Sequence, residues 1–132
     1  MRRRIPSNRQ GTAVVEAALA LPIIFLVILG TVEICNSIFI KQSLSLMAFE
    51  GARVAIIPGA SLADVEQQVA EMAAARRITI DSVVVNPSDF YDYPSGSVIE
   101  VQVNSAANQS GRTGLFTSGA ASVSVFIMKE QE

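Results

Sequence analysis

Residues 11–57, GTAVVEAALALPIIFLVILGTVEICNSIFIKQSLSLMAFEGARVAII, decide the fold. Between Ala17 and Val32 no side chain is charged. Extending back to Thr12 and accepting Glu16 gives about twenty residues, the length that crosses a bilayer core as a helix. After Pro22 the next proline is Pro58, so the helix is predicted to run well past the span. At ~1.5 Å per residue, a helix over residues 12–57 is on the order of 70 Å long, about twice a bilayer core. Its second half must therefore stand in water or against protein. The residues after this helix read as a small head on a stalk.

The 132-residue length suits a single domain, and the anchor takes about a third of it. The rest can hold a small core but not a large enzyme cleft. Half of the residues are hydrophobic, which fits a one-pass membrane protein. Charge is split along the chain. Arg2, Arg3, Arg4 and Arg9 precede the apolar run, whereas six basic and twelve acidic residues follow Gly11, a net of −6. The positive-inside rule then puts the N-terminus in the cytoplasm and the head across the membrane. Because the basic cluster abuts a hydrophobic span, it reads as a topology signal and not as a nucleic-acid tail. The chain has no histidine and one cysteine, Cys35. A lone cysteine forms no internal disulfide, so it reads as a small packing residue, with an intermolecular bridge as the other reading.

The leader, residues 1–11, is basic, polar and broken by Pro6, and reads as unstructured. An ordinary signal peptide is excluded by geometry. The small-x-small match near the span, Ala18-Leu19-Ala20, precedes the apolar run, and cleavage there would leave that run on the product. Beyond the span, one apolar line runs Ile40, Leu44, Met47 and Val54, and another runs Ile38, Phe49 and Ile56. A helix apolar on so many sides is buried on most of them, so one face covers its own head and another needs a neighbour. Gly51, Ala52 and Ala55 leave room for close backbone approach. Ile57-Pro58-Gly59 ends the stalk. Ser61 and Asp64 then form a near capping box for a helix over about residues 62–77, with Leu62, Val65, Val69, Met72 and Ala73 on one face.

Period two takes over afterwards. Ile78, Ile80, Val83 and Val85 predict a strand with a parity break near Ser82, the mark of a bulge. Ile99, Val101 and Val103 form a second strand, and Val123, Val125 and Ile127 a third. The fold expected is α+β: a long N-terminal transmembrane helix, a second short helix, and a three-stranded antiparallel sheet in the head. The helices should cover one face of a meander whose other face is partly wet.

Few residues invite chemistry. No histidine or nucleophile-elbow serine is present, so no catalytic residue, cofactor or metal is expected, and the chain does not read as an enzyme. In the loop Pro87–Pro94 two aspartates mix with Phe90, Tyr91 and Tyr93. The spacing is not that of an EF-hand, so packing on the sheet edge or a partner contact is expected. The loop at residues 105–119 is polar except for Leu115-Phe116, which should plug it onto the core. Glu16 stands inside an apolar helix five residues after Gly11, where a carboxylate is costly unless paired. Cleavage after Gly11 would free an ammonium on Thr12, four residues from Glu16. Alternatively Glu16 snorkels to the interface beside Arg9. Glu33, at the far edge of the span, is expected either to bind a partner's basic residue or to be solvated among headgroups. Gly30, three residues before it, would allow close helix contact. Glu50 and Arg53 are spaced to pair on the helix or to contact a neighbour.

These residues together resemble the TadE-like family of the tight-adherence (Tad) pilus system. The resemblance rests on Gly11, Val15, Glu16, Ala18, Leu19 and Pro22, then Gly30 and Glu33, then Glu50, Gly51, Ala52 and Arg53. It covers roughly residues 11–61 and reaches the head only in its type of fold. It implies a pilin-like fold and a non-enzymatic minor pilin or pseudopilin acting in pilus assembly and adhesion. The implied processing site is Gly11, Thr12 and Glu16, cut by a prepilin peptidase. The implied assembly contacts are Glu16, Gly30, Glu33, Glu50, Gly51 and Arg53. The implied partners are other pilins or pseudopilins and components of the Tad assembly platform, besides membrane lipid. The implied location is the bacterial inner membrane or a surface pilus. One departure is Glu16-Ala17, where the major pilins of that system have Glu-Tyr, which argues against a major filament subunit. The rival reading is an unprocessed single-pass anchored protein whose head recognises a ligand through residues 90–93.

Overall fold

The computed structural model describes residues 9–90, 92, 94, 96–105 and 120–129. Five elements follow in order: α1 (Arg9–Ala55), α2 (Leu62–Arg76), β1 (Ile80–Asn86), β2 (Val98–Ser105) and β3 (Ala121–Met128). This is the expected α+β architecture, with a long apolar helix, a short helix and a three-stranded antiparallel sheet in the order β1-β2-β3.

The 47 residues of α1 carry Pro22 inside the helix. It begins at Arg9, so Gly11 is helical and not part of an unstructured leader; residues 1–8 lie outside the described residues. Its end comes two residues before the expected Ile57. Ile57, pushed out of helical geometry by Pro58, donates its N–H to the Val54 carbonyl at 3.0 Å, which closes a tighter final turn. Gly59 follows with φ +82° and reverses the chain at no steric cost.

The capping box at the start of α2 is complete. The Ser61 N–H donates to Asp64 Oδ2 at 2.8 Å, and the Asp64 N–H donates back to Ser61 Oγ at 3.4 Å. At the other end Arg77 holds a left-handed φ of 55°, where its N–H reaches the Ala74 carbonyl and that of Ile78 reaches Ala73. A non-glycine residue there costs about 1 kcal/mol, offset by the carbonyls that the turn satisfies.

Both ladders of the sheet are antiparallel, pairing Val83 with Val103, Val85 with Val101, Val101 with Val125 and Ile99 with Ile127. The register shifts between Ile80 and Ser82, at the parity break expected near Ser82. The inward residues of the sheet pack on the helices in two groups. Nearer the apolar span, Ile40, Leu44, Met47 and Ala48 meet Val69, Ala73, Ile78 and Val103. Further along, Ala52 and Ala55 meet Val65, Val85, Phe90, Ile99 and Val101. The opposite face of the sheet carries Glu100, Gln102 and Asn104, and Asn104 donates to Ser82 Oγ at 2.9 Å.

Gly51 sits where α1, α2 and β2 converge. A Cβ there would lie 3.0 Å from Val69 Cγ2, 3.4 Å from Val65 Cγ1 and 3.5 Å from Val101 Cγ1. Gly51→Leu is expected to destabilise the head by about 2–3 kcal/mol through overpacking, read as a lower urea midpoint of the detergent-solubilised chain. Gly51→Ala should cost less, because a gain of about 1 kcal/mol in helix propensity opposes the contact.

The capping box also predicts a pH response. The Ser61 hydroxyl, and then the Ser61 N–H, hold the Asp64 carboxyl below its ordinary value of 3.8. A depressed folded pKa means that the carboxylate's contribution is complete above the unfolded value and fades as pH falls through the folded one. Far-UV circular dichroism in acid should show α2 loosening below about pH 4. Asp64→Asn should be the less stable protein at neutral pH and should lose this acid-dependent step.

Candidate functional site

The candidate site is the surface of α1, and the head determines which part of it is available. From Gly11 to Leu29 every residue is exposed, including Val14, Leu19, Phe25 and Leu26. Such a cylinder is insoluble in water and suited to lipid. Thr31 removes its own polar penalty by donating its hydroxyl to the Val27 carbonyl at 2.8 Å. Among the described residues, α1 is the one helix long and apolar enough to cross a membrane.

Covering begins at Gly30, which is half-buried. One line of α1 then faces the rest of the chain: Glu33, Ile40, Leu44, Met47, Gly51 and Ala55 are all buried. Ser43, also buried, accepts a hydrogen bond from Arg76 Nη1 at 3.3 Å, which ties the end of α2 to α1. The opposite line, through Cys35, Phe39, Gln42, Leu46, Phe49 and Arg53, is exposed.

The residues read from the sequence fall into three settings. Gly11 and Glu16 are exposed on the first turns of α1, and no atom lies within 4 Å of a Cβ built on Gly11. Thr12 is exposed as well, and it is not without a partner. Glu33 is only 4% exposed and also has a partner. Solvation among the outer headgroups does not describe a residue this buried. Glu50 and Arg53 form the expected pair, Arg53 Nη1 lying 3.3 Å from Glu50 Oε2 on the open side of the helix. An exposed pair of this kind contributes a few tenths of a kcal/mol, so it matters more for what it presents than for stability. Gly51 is spent on the chain's own head and offers nothing to a neighbour.

The head offers less. Phe90 is fully buried in the core, so it is a packing residue and not a recognition surface. Tyr91, Tyr93 and the Leu115-Phe116 plug lie outside the described residues. A hollow of about 200 Å³ on the sheet's wet face is lined by Val84, Val85, Asn86, Ser88, Glu100 and Gln102, with a single carboxylate among them. Among the described residues no three His, Cys, Asp or Glu side chains converge to hold a metal.

Reading the sequence missed Phe39 and Leu46 as members of the open face. The signal was present in their spacing from Gln42 and Phe49, but uniform hydrophobicity hid which line the head would take.

These features define a class: an apolar anchor helix, long enough for a single membrane crossing, that continues as the spine of a small α+β head. Residues 11–53 match the family model described as TadE-like protein, so this anchor and stalk segment is TadE-like, as its sequence resembles. The matched segment is about a third of the chain and stops short of α2 and the sheet. No curated protein and no solved structure gives a significant match.

The two carboxylates beyond the span should respond differently to removal. Glu33→Ala is expected to cost about 1–3 kcal/mol, because it empties a buried position and removes an interaction made there. Glu50→Ala should change stability by no more than about 0.5 kcal/mol. Parallel thermal unfolding of the two variants in detergent checks the contrast.

Proposed function

We propose that this chain is a non-enzymatic minor pilin or pseudopilin of a Tad pilus or secretion system, acting in pilus assembly and adhesion. The observation that carries this reading is the TadE-like match over residues 11–53, the segment that is also the anchor and the spine of the head. In this reading the N-terminus is cytoplasmic, α1 crosses the bacterial inner membrane once, and the head stands in the periplasm or outside the cell. The four arginines before Gly11 support that orientation.

Function would be mechanical. A prepilin peptidase cuts after Gly11, and the new Thr12 ammonium and Glu16 carboxylate pair within or between chains. Such a pair lowers the cost of two charges at the edge of hydrocarbon and sets the level of each subunit. The uncovered side of α1, with Glu50 and Arg53 beside it, supplies lateral contacts to other pilins or to the assembly platform. Glu16-Ala17 places the chain outside the Glu-Tyr pattern of major pilins and supports a minor role.

One observation favours a second reading, a permanently anchored protein with an intact leader and a recognition head. Gly11 lies inside a continuous helix that begins at Arg9, and a peptidase needs its scissile bond in extended geometry. Glycine weakens a helix by about 1 kcal/mol, which makes local unwinding at that position inexpensive.

Intact mass of the membrane-extracted protein, from hosts with and without a prepilin peptidase, separates the two readings. The processed reading expects a product beginning at Thr12 only when the peptidase is present, and its loss on Gly11→Asp. A full-length chain in both hosts would sink it in favour of the permanent anchor.

A further inference from the structure

The open side of α1 has more order than an apolar surface needs. Cys35, Phe39, Gln42, Leu46, Phe49 and Arg53 follow one another at intervals of four, three, four, three and four residues. This is a heptad seam, with Phe39, Leu46 and Arg53 at a positions and Cys35, Gln42 and Phe49 at d positions. Val32 and Ile56 continue the spacing at its two ends. Ile40, Leu44, Met47 and Gly51, which the head covers, occupy the b and f positions on the far side of the helix. The head also covers Ala48 and Ala55 at c and reaches the seam's flanks at Ser43 (e) and Ala52 (g), while every a and d position from Cys35 to Arg53 stays exposed. Phe39 is 48% exposed, Leu46 40% and Phe49 47%, although each is too apolar to be stable in water. Within the span the same spacing carries no information, because nearly every position there is apolar.

We propose that α1 pairs through this seam with α1 of a second copy of this chain, parallel and in register. Three observations select that occupant. The first is direction: copies with one anchor and one charge asymmetry insert the same way round, so neighbouring helices are parallel. The second is level: a slip of one turn would displace one span by about 5.4 Å against the bilayer, which mismatch opposes. In register, each a residue meets its own counterpart, as does each d residue. Gln42, the seam's uncharged amide, then faces Gln42 of the other copy and can hydrogen-bond to it, a bond that any slip in register breaks. Arg53 meets Arg53, and the Glu50 carboxylate 3.3 Å away on the same chain offsets that repulsion.

The third observation is area. Phe39 and Phe49 bury about 150–250 Å² each when fully covered and are about half covered already; together with the other seam residues and their flanks, roughly 600 Å² per chain would be hidden. The total of about 1,200 Å² is the lower edge of a specific interface. Confinement to a membrane lowers the orientational cost of association below that of free partners in solution. The pairing requires α1 to be membrane-anchored, but it requires neither cleavage after Gly11 nor a pilus.

Cys35 reports on this arrangement, since a d position brings the two cysteines face to face. Two differently tagged full-length copies are co-expressed in bacterial membranes and treated with copper–phenanthroline, which with oxygen converts two close thiols to a disulfide. The expected product is a mixed-tag dimer that Cys35→Ser abolishes. Adding Gln42→Cys to Cys35→Ser should restore the dimer, because residue 42 also lies at d. Adding Lys41→Cys instead, at an exposed c position, should give at most a tenth of that yield. With Cys35 retained, Phe49→Glu should lower the yield at least fivefold; Phe49 is exposed, so the head stays folded. The proposal is overturned by a monomer at Cys35, by equal yields from positions 41 and 42, or by an unchanged yield with Phe49→Glu. A product linking Cys35 only to a different protein overturns it as well. Failure of leader processing, read by mass, leaves all these outcomes untouched, so the two readings fail separately.

Discussion

The head depends on the face that α1 lends it. A three-stranded sheet and a 15-residue helix make too thin a pair to bury a core alone. Ile40, Leu44, Met47, Ala48, Ala52 and Ala55 complete that core from a helix whose other end is an insoluble anchor. Fold and anchor are therefore one object. The small residues on this face, Gly51 against Val65, Val69 and Val101 among them, bring the helix close to the valines of α2 and the sheet. A bulkier line would hold the sheet away from the stalk.

That dependence has a second consequence. Because the core takes one side of α1 beyond the span, it leaves the other side apolar and uncovered for about twenty residues. Had the head wrapped around the helix, the stalk would be an ordinary core helix. Covering one side keeps a lateral surface in line with the lipid-facing span, which suits a protein that works beside other helices. Polar groups along the boundary are absorbed locally: Thr31 by its own backbone and Ser43 by Arg76.

The TadE-like match ends at residue 53, two residues before α1 itself ends. The matched part is thus most of α1, while α2 and the sheet lie outside the matched residues and pack on it through valine, isoleucine and alanine. The spine carries an apolar span that suits lipid and, beyond it, a face that completes the head's core.

Much of this was legible before any fold was known. The apolar helix, the break at Pro58, the Ser61–Asp64 cap and the three alternating strands are local matters. Hydrophobic period, capping side chains and proline sterics act within a few residues, so a linear reading captures them. The bulge at Ser82 was visible for the same reason, as a lapse in period. The faces of α1 were not legible. Ile40 and Phe39 are adjacent and equally apolar, yet one is core and the other open. Gly51 has room for a neighbour in sequence terms but spends it on Val69, and Glu33, open in sequence to headgroup solvation or a partner's basic residue, is buried. These outcomes depend on where α2 and the sheet, segments well removed along the chain, come to rest. Sequence by itself determined the elements and the membrane anchor, because their causes are short-range. Only the tertiary structure decided which side of the helix is inside, because burial depends on packing between distant segments.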